Sequence, residues 1–141
     1  MRDTEILKVT ATQELSKATI MRAEPDLLIT RYRFDVVIDE ADAEKIDEAH
    51  TQMCLGKEVF IIVDLQKGLT KISKEAEEFF TKKGKMVPYI KGVALVDNSK
   101  SSFFANFLLK LHNFIYPTKS FSNLEDAARW IDTQRKTVEK K

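Results

Sequence analysis

Residues 59–65 read VFIIVDL and residues 92–97 read GVALVD. Each is a nearly continuous apolar run of strand length with an aspartate at or next to its end, without the polar alternation of a strand exposed on one side. Such runs are typical of strands buried on both faces, as in a parallel sheet covered by helices. The two runs therefore predict the centre of an α/β sheet.

The segments around these two runs alternate in type. Residues 18–23 and 27–34 are rich in β-formers and flank a Glu24-Pro25-Asp26 turn, so they predict an antiparallel hairpin. Apolar periodicity, N-terminal acids and stop signals predict helices at 39–55, 73–86 and 99–115 and a fourth from Asn123, with a short strand at 119–122. The order β-β-α-β-α-β-α-β-α predicts a mixed sheet with four main helices.

Length and composition set the class of protein. The 141 residues predict one domain, at 18–132, with an N-terminal extension at 1–17 and a polar tail at 133–141. A net charge of +1 argues against a nucleic-acid partner. Cys54 stands alone, and no run approaches the ~20 apolar residues of a membrane span. We therefore expect a cytoplasmic protein without a membrane span.

The order of elements resembles the SpoIIAA-like fold of STAS domains, in a bacterial branch related to STAS and CRAL-TRIO-type lipid-binding domains. Three stretches carry the resemblance: FIIVDL at 60–65, VALVDNS at 93–99, and PTKSF at 117–121 followed by EDAARWI at 125–131. Together with the hairpin they cover about residues 18–132. The resemblance implies a mixed-sheet interaction or regulatory domain that often dimerises, and it does not imply an enzyme.

Ser73 is the residue that the resemblance singles out. In phospho-switched STAS antagonists a Ser or Thr lies at the start of the helix after the central strand, inside an Asp-Ser-Ser-Gly-like run. Ser73 falls near that place, but the flanking Asp and Gly are missing. The alternative is that Ser73 caps the second predicted helix, which Glu75 in the first turn favours.

Four residues near the carboxyl ends of the central strands are candidate ligand contacts. Asp64 and Asp97 end two predicted parallel strands, where open α/β sheets collect ligands, and Ser99 and Lys100 open the next helix. The helix amides with Lys100 could hold an anion, or the two carboxylates could bind Mg²⁺. The alternative is that these residues cap the helix and bond loop amides.

The sequence contains few other motifs that indicate catalysis or cofactor binding. The sequence has no GxGxxG, P-loop or GxSxG motif, so it predicts no cofactor. His50 and Cys54 share a helix face at i, i+4 spacing, which could supply two metal ligands or a thiolate with a base. No third ligand follows from the spacing, and both residues fit the apolar stripe of the helix. We therefore predict no metal site.

The predicted helix at 99–115 is unusually rich in phenylalanine. At ~100° per residue its apolar side chains span about 140°, which is wider than the stripe of an ordinary sheet-packed helix. Contact with the sheet, a subunit interface and the wall of an apolar cavity all fit this width. The side chains concerned are Phe103, Phe104, Phe107, Leu108 and Leu111.

Three functions remain open at this stage. The leading one is a non-enzymatic STAS-like module that forms a homodimer or binds a protein partner through the helical surfaces at 73–85 and 103–115. The second is a carrier or sensor of a small apolar or lipid-like molecule. The third is a small-anion or metal-dependent enzyme that uses Asp64 and Asp97.

Overall fold

A computed structural model describes residues 9–33, 35–66, 69–97 and 115–139. Eight strands are present in these ranges: β1 Ala11–Glu14, β2 Ala18–Glu24, β3 Leu27–Tyr32, β4 Val36–Ile38, β5 Val59–Asp64, β6 Leu69–Ile72, β7 Ile90–Val96 and β8 Thr118–Phe121. Six of them form one sheet in the order β1-β2-β3-β5-β7-β8, and β4 pairs with β6 in a separate parallel ladder.

The centre of the sheet is the one that the two apolar runs predict. Strand β5 pairs in parallel with β3 on one side and with β7 on the other, and β8 extends the parallel part beyond β7. Strands β2 and β3 form the predicted antiparallel hairpin, to which β1 adds a further antiparallel strand. The mixed α/β sheet of the sequence prediction is therefore confirmed.

The described residues contain three helices: α1 Glu40–Cys54, α2 Lys74–Glu78 and α3 Leu124–Glu139. A capping box between Asp39 and Asp42 opens α1, and Leu55 and Gly56 end it in the left-handed region, at φ 55° and 75°. Helix α2 continues as a π-helical turn, Phe79–Lys83, and a 3₁₀ turn, Val87–Tyr89, then leads into β7. The third predicted helix, 99–115, lies outside the described residues except for its last position, so three of the four predicted helices are present among the described residues.

Each face of the sheet carries its own apolar core. Helices α1 and α2 cover one face, where Ala43, Ile46 and Met53 of α1 join a buried cluster with Ile61 and Leu95 of the sheet. Helix α3 covers the opposite face through its buried side chains Leu124, Ala127 and Ile131. Successive strand residues point to alternate faces, so a residue's position along β3, β5 or β7 decides which core it joins.

An ion-pair cluster fixes α3 to the hairpin. The guanidinium of Arg135 donates to both carboxylate oxygens of Asp26, at 2.9 and 2.6 Å, and to Glu24 at 2.9 Å. The bidentate contact with Asp26 has the planar geometry that strengthens such pairs. The end of the chain is thereby connected to the β2–β3 turn.

Three segments differ from the sequence expectation or add to it. Residues 66–72, which contain Gly68, predict a loop. This prediction is wrong for Leu69–Ile72, which pairs with β4 as a strand of four residues, too short to show a period. The stretch proposed as an extension, 1–17, contains β1. The proposed polar tail, 133–141, is helical to Glu139 as the continuation of α3.

Candidate ligand cavity

A cavity of about 90 Å³ lies between the sheet and the elements α1 and α2. Strands β3, β5 and β7 form its floor, and α1, α2 and the residues that follow α2 form its roof. Its wall is mostly apolar among the described residues, and the apolar side chains are Ile61, Val63, Leu65, Ile72, Phe80, Met86, Ile90, Val93 and Leu95. A mostly apolar space of this kind is a default place to look for a small ligand.

A buried hydrogen bond joins the floor of the cavity to its roof. The hydroxyl of Thr30 on β3 lies 2.6 Å from Nε2 of His50 on α1, and both residues line the cavity. Burial lowers the pKa of His50 to about 4, since the charged imidazolium is poorly solvated there. The ring is therefore neutral near pH 7 and has one donor nitrogen and one acceptor nitrogen.

Two tyrosines bring hydroxyl groups to the same wall. The Tyr116 hydroxyl donates to the carbonyl oxygen of Phe80 at 3.0 Å. Tyr32 is 5% exposed, and its hydroxyl makes no hydrogen bond that involves the described residues. Burial raises the pKa of both phenols, so each stays protonated through the physiological range.

The oxygen of Tyr32 keeps some accessible surface. Within the described ranges no fully buried side-chain nitrogen or oxygen lacks a hydrogen-bond partner. Because the Tyr32 oxygen has no such partner, some of its surface is accessible, and Tyr32 lines the cavity. A hydroxyl placed in this way can donate one hydrogen bond to a molecule in the cavity and accept others.

Asp47 holds the roof in place. Its two carboxylate oxygens accept hydrogen bonds from the backbone N–H groups of Lys85 and Met86, at 2.9 and 3.0 Å. Gly84 permits this approach, because a Cβ atom there would lie 2.5 Å from Oδ1 of Asp47 and 2.9 Å from the carbonyl oxygen of Phe79. Helix α1 and the segment after α2 are thus joined through one buried carboxyl group.

The structure places Asp64 away from the cavity. Asp64 follows Val63 on β5, so it points to the α3 face, where one oxygen accepts from Nε of Arg31 at 2.8 Å. Its other oxygen accepts from the backbone and side-chain nitrogens of Gln66, at 3.0 and 3.2 Å. The backbone N–H of Asp97 donates to Phe121 at the same end of the sheet. Ser99 and Lys100 lie outside the described residues.

The other sequence candidates have local partners. The Ser73 hydroxyl accepts from the backbone N–H of Ala76 at 3.0 Å, as the N-cap of α2. Cys54 is buried, and its thiol donates to the carbonyl oxygen of Thr51. Over the described ranges, no three side chains of His, Cys, Asp or Glu come together as a metal site would require.

The phenylalanine-rich stripe cannot be placed on this site. Its five named members lie outside the described residues, namely Phe103, Phe104, Phe107, Leu108 and Leu111. The sequence singled out one residue of the cavity, His50, and missed Tyr32, Tyr116 and Asp47. Tyr32 shares a strand face with Leu28 and Thr30, and this alternation was the signal available for it.

The architecture defines a class of protein. The chain has a SpoIIAA-like fold, and it is similar to a solved structure of an uncharacterised DUF3478-family protein with that fold from Shewanella loihica PV-4. The two chains are 19% identical, the match covers 86% of this chain and 99% of the other, and the TM-score is 0.59. The resemblance predicted from the sequence is therefore confirmed for the fold.

The chain belongs to the family described as a domain of unknown function, DUF7793, which matches residues 21–135. No curated protein matches the chain. In the stretches that the structure describes, no helix combines the length and the apolar character needed to cross a membrane.

Proposed function

We propose that this chain is a non-enzymatic SpoIIAA-like module that binds a small, mostly apolar molecule between its sheet and the helices α1 and α2. The observation that carries the proposal is the cavity of about 90 Å³, bounded by buried and half-buried apolar side chains and containing a few polar groups. Ligand sites in proteins have this composition, since apolar surface supplies affinity and a few polar groups fix orientation.

The size of the cavity limits the ligand. A volume of about 90 Å³ is smaller than the ~150 Å³ apolar cavity that holds benzene. A complete lipid chain does not fit within it. The module would thus enclose a compact molecule of a few non-hydrogen atoms, or the end of a longer one.

The chemistry of the wall favours binding over catalysis. His50 is the titratable base nearest to a hydroxyl, but burial lowers its pKa to about 4, which is far from the value that suits a general base near neutral pH. Both carboxylate oxygens of Asp47 accept hydrogen bonds from backbone N–H groups. Each of these groups therefore has a structural role that is sufficient to account for it.

Xenon binding, followed by NMR on the full-length chain, tests the proposal. We expect xenon under pressure to shift the methyl resonances of Ile61, Val93 and Leu95, since xenon enters apolar cavities. Val93→Ile adds one methylene group at the cavity wall and should weaken the binding. The matched control is Val96→Ile, which makes the same change on the opposite face of β7 and should leave the binding unchanged. The absence of xenon-induced shifts in the native protein would refute the proposal.

The remaining sequence hypotheses stay predictions. They are homodimer formation or protein binding through the surfaces at 73–85 and 103–115, a phosphorylation role for Ser73, and anion or metal chemistry at Asp64 and Asp97. The domain boundaries at residues 18 and 132 are likewise proposals.

A further inference from the structure

We infer that the cavity selects an uncharged ligand with one hydrogen-bonding group, such as an alcohol, a ketone or an amide, over a carboxylate of the same length. The inference rests on the proposed function, and it specifies the chemical class of the ligand. It follows from the hydrogen-bonding groups in the wall and from the charges around them.

The hydroxyl of Tyr32 is the recognition group. The side chain is 95% buried and lines the cavity, yet its oxygen makes no hydrogen bond that involves the described residues. A hydroxyl at the surface of an apolar cavity, with no partner among the described residues, loses part of its hydrogen bonding to water. A ligand that donates to or accepts from this oxygen would recover that loss, and this gives the site a preference for a polar group at one end of the molecule.

The surroundings of Tyr32 disfavour an anionic end. Two carboxyl side chains, Asp47 and Glu77, are part of the cavity wall. The described residues of the wall include no Lys or Arg. A carboxylate in this mostly apolar cavity would lose its hydration, which makes its burial costly. Neutral His50 adds no positive charge near pH 7.

Two small molecules of equal length separate these effects. We expect 1-butanol to shift the resonances of cavity residues in an NMR titration of the full-length chain at pH 7. Butyrate differs from it in charge and should bind at least about tenfold more weakly, because an unpaired charge is costly to bury. Equal affinity for the two compounds would overturn the inference.

The role of Tyr32 is tested by removing its hydroxyl group. Tyr32→Phe should weaken 1-butanol binding about 2- to 12-fold, the usual range for one net hydrogen bond. It should not lower the urea midpoint of unfolding, because the hydroxyl has no hydrogen-bond partner among the described residues. Unchanged 1-butanol affinity in a folded Tyr32→Phe protein would overturn the assignment.

Tyr116→Phe is the matched control. It removes a hydroxyl from the same wall, but this hydroxyl already donates to Phe80. We expect a lower urea midpoint and a smaller effect on 1-butanol affinity than for Tyr32→Phe. A larger effect on affinity than that of Tyr32→Phe would overturn the choice of Tyr32. If xenon binds but 1-butanol and butyrate bind equally well, the proposed ligand class is wrong and the proposed binding function stands. If xenon does not bind, the proposed binding function itself is wrong.

Discussion

Adding one methylene group to either face of strand β7 should have opposite effects on stability. Val93 lines the cavity and is 5% exposed, whereas Val96 is fully buried in the core under α3. Isoleucine keeps the β-branch of valine, so the substitution extends the side chain without changing its χ1 preference. On the same strand, the side chain of Val93 thus adjoins unfilled space, whereas that of Val96 is surrounded by packed atoms.

The expected magnitudes follow from burial and packing. Val93→Ile places a methylene group in the cavity, which should stabilise the fold by about 0.8 kcal/mol. Val96→Ile inserts the same group into a closely packed core, where overpacking costs about 1–3 kcal/mol. The two variants should therefore differ by about 2–4 kcal/mol in the free energy of unfolding.

Urea unfolding followed by circular dichroism measures this difference. With a slope near 2 kcal/mol per molar urea, the two midpoints should lie about 1–2 M apart. Equal slopes for both variants would show that the change is one of stability and not of compactness. If Val93→Ile destabilises the protein as much as Val96→Ile, the space beside Val93 cannot accept a methylene group and the reasoning fails.

Two further substitutions test the polar groups of the cavity. Burial in the folded state lowers the pKa of His50 from 6.5 to about 4, so between these values the folded protein binds fewer protons than the unfolded protein. His50 therefore contributes stability above pH 6.5, and this stability is lost as the pH falls toward 4. Urea unfolding between pH 7 and 4.5 should show His50→Gln losing about 2 kcal/mol less than the native protein, and parallel losses would contradict this. Gly84→Ala should cost roughly 1–3 kcal/mol by displacing the Asp47 carboxylate. The cost should shrink in an Asp47→Ala background, and an unchanged cost there would exclude the contact as its cause.

The sequence predicts the parts of the fold whose signals are local. The apolar runs at 59–65 and 92–97 indicate strands buried on both faces, and Glu24-Pro25-Asp26 marks the hairpin turn. Asp39 and Gly56 likewise mark the two ends of α1. Each signal lies within a few residues of the element that it specifies.

The cavity could not be predicted because it depends on contacts between distant segments. Asp47 resembles an ordinary acidic residue on the polar side of a helix, and only a segment 38 residues later buries it. Tyr32 and Tyr116 come together through the order of the strands, which no local pattern encodes. The short strands β4 and β6 escaped prediction for the same reason, since each is defined by its partner.

The order of the sheet also bears on how the chain can fold during its synthesis. From β1 to β8, each strand of the main sheet pairs with the member that precedes it in the chain, so no strand must be inserted between two that are already paired. A chain that emerges from the ribosome with its N-terminus first can therefore add strands at one growing edge. The contact of Arg135 with Asp26 forms after the strands of the main sheet have emerged, because α3 follows all of them in the chain.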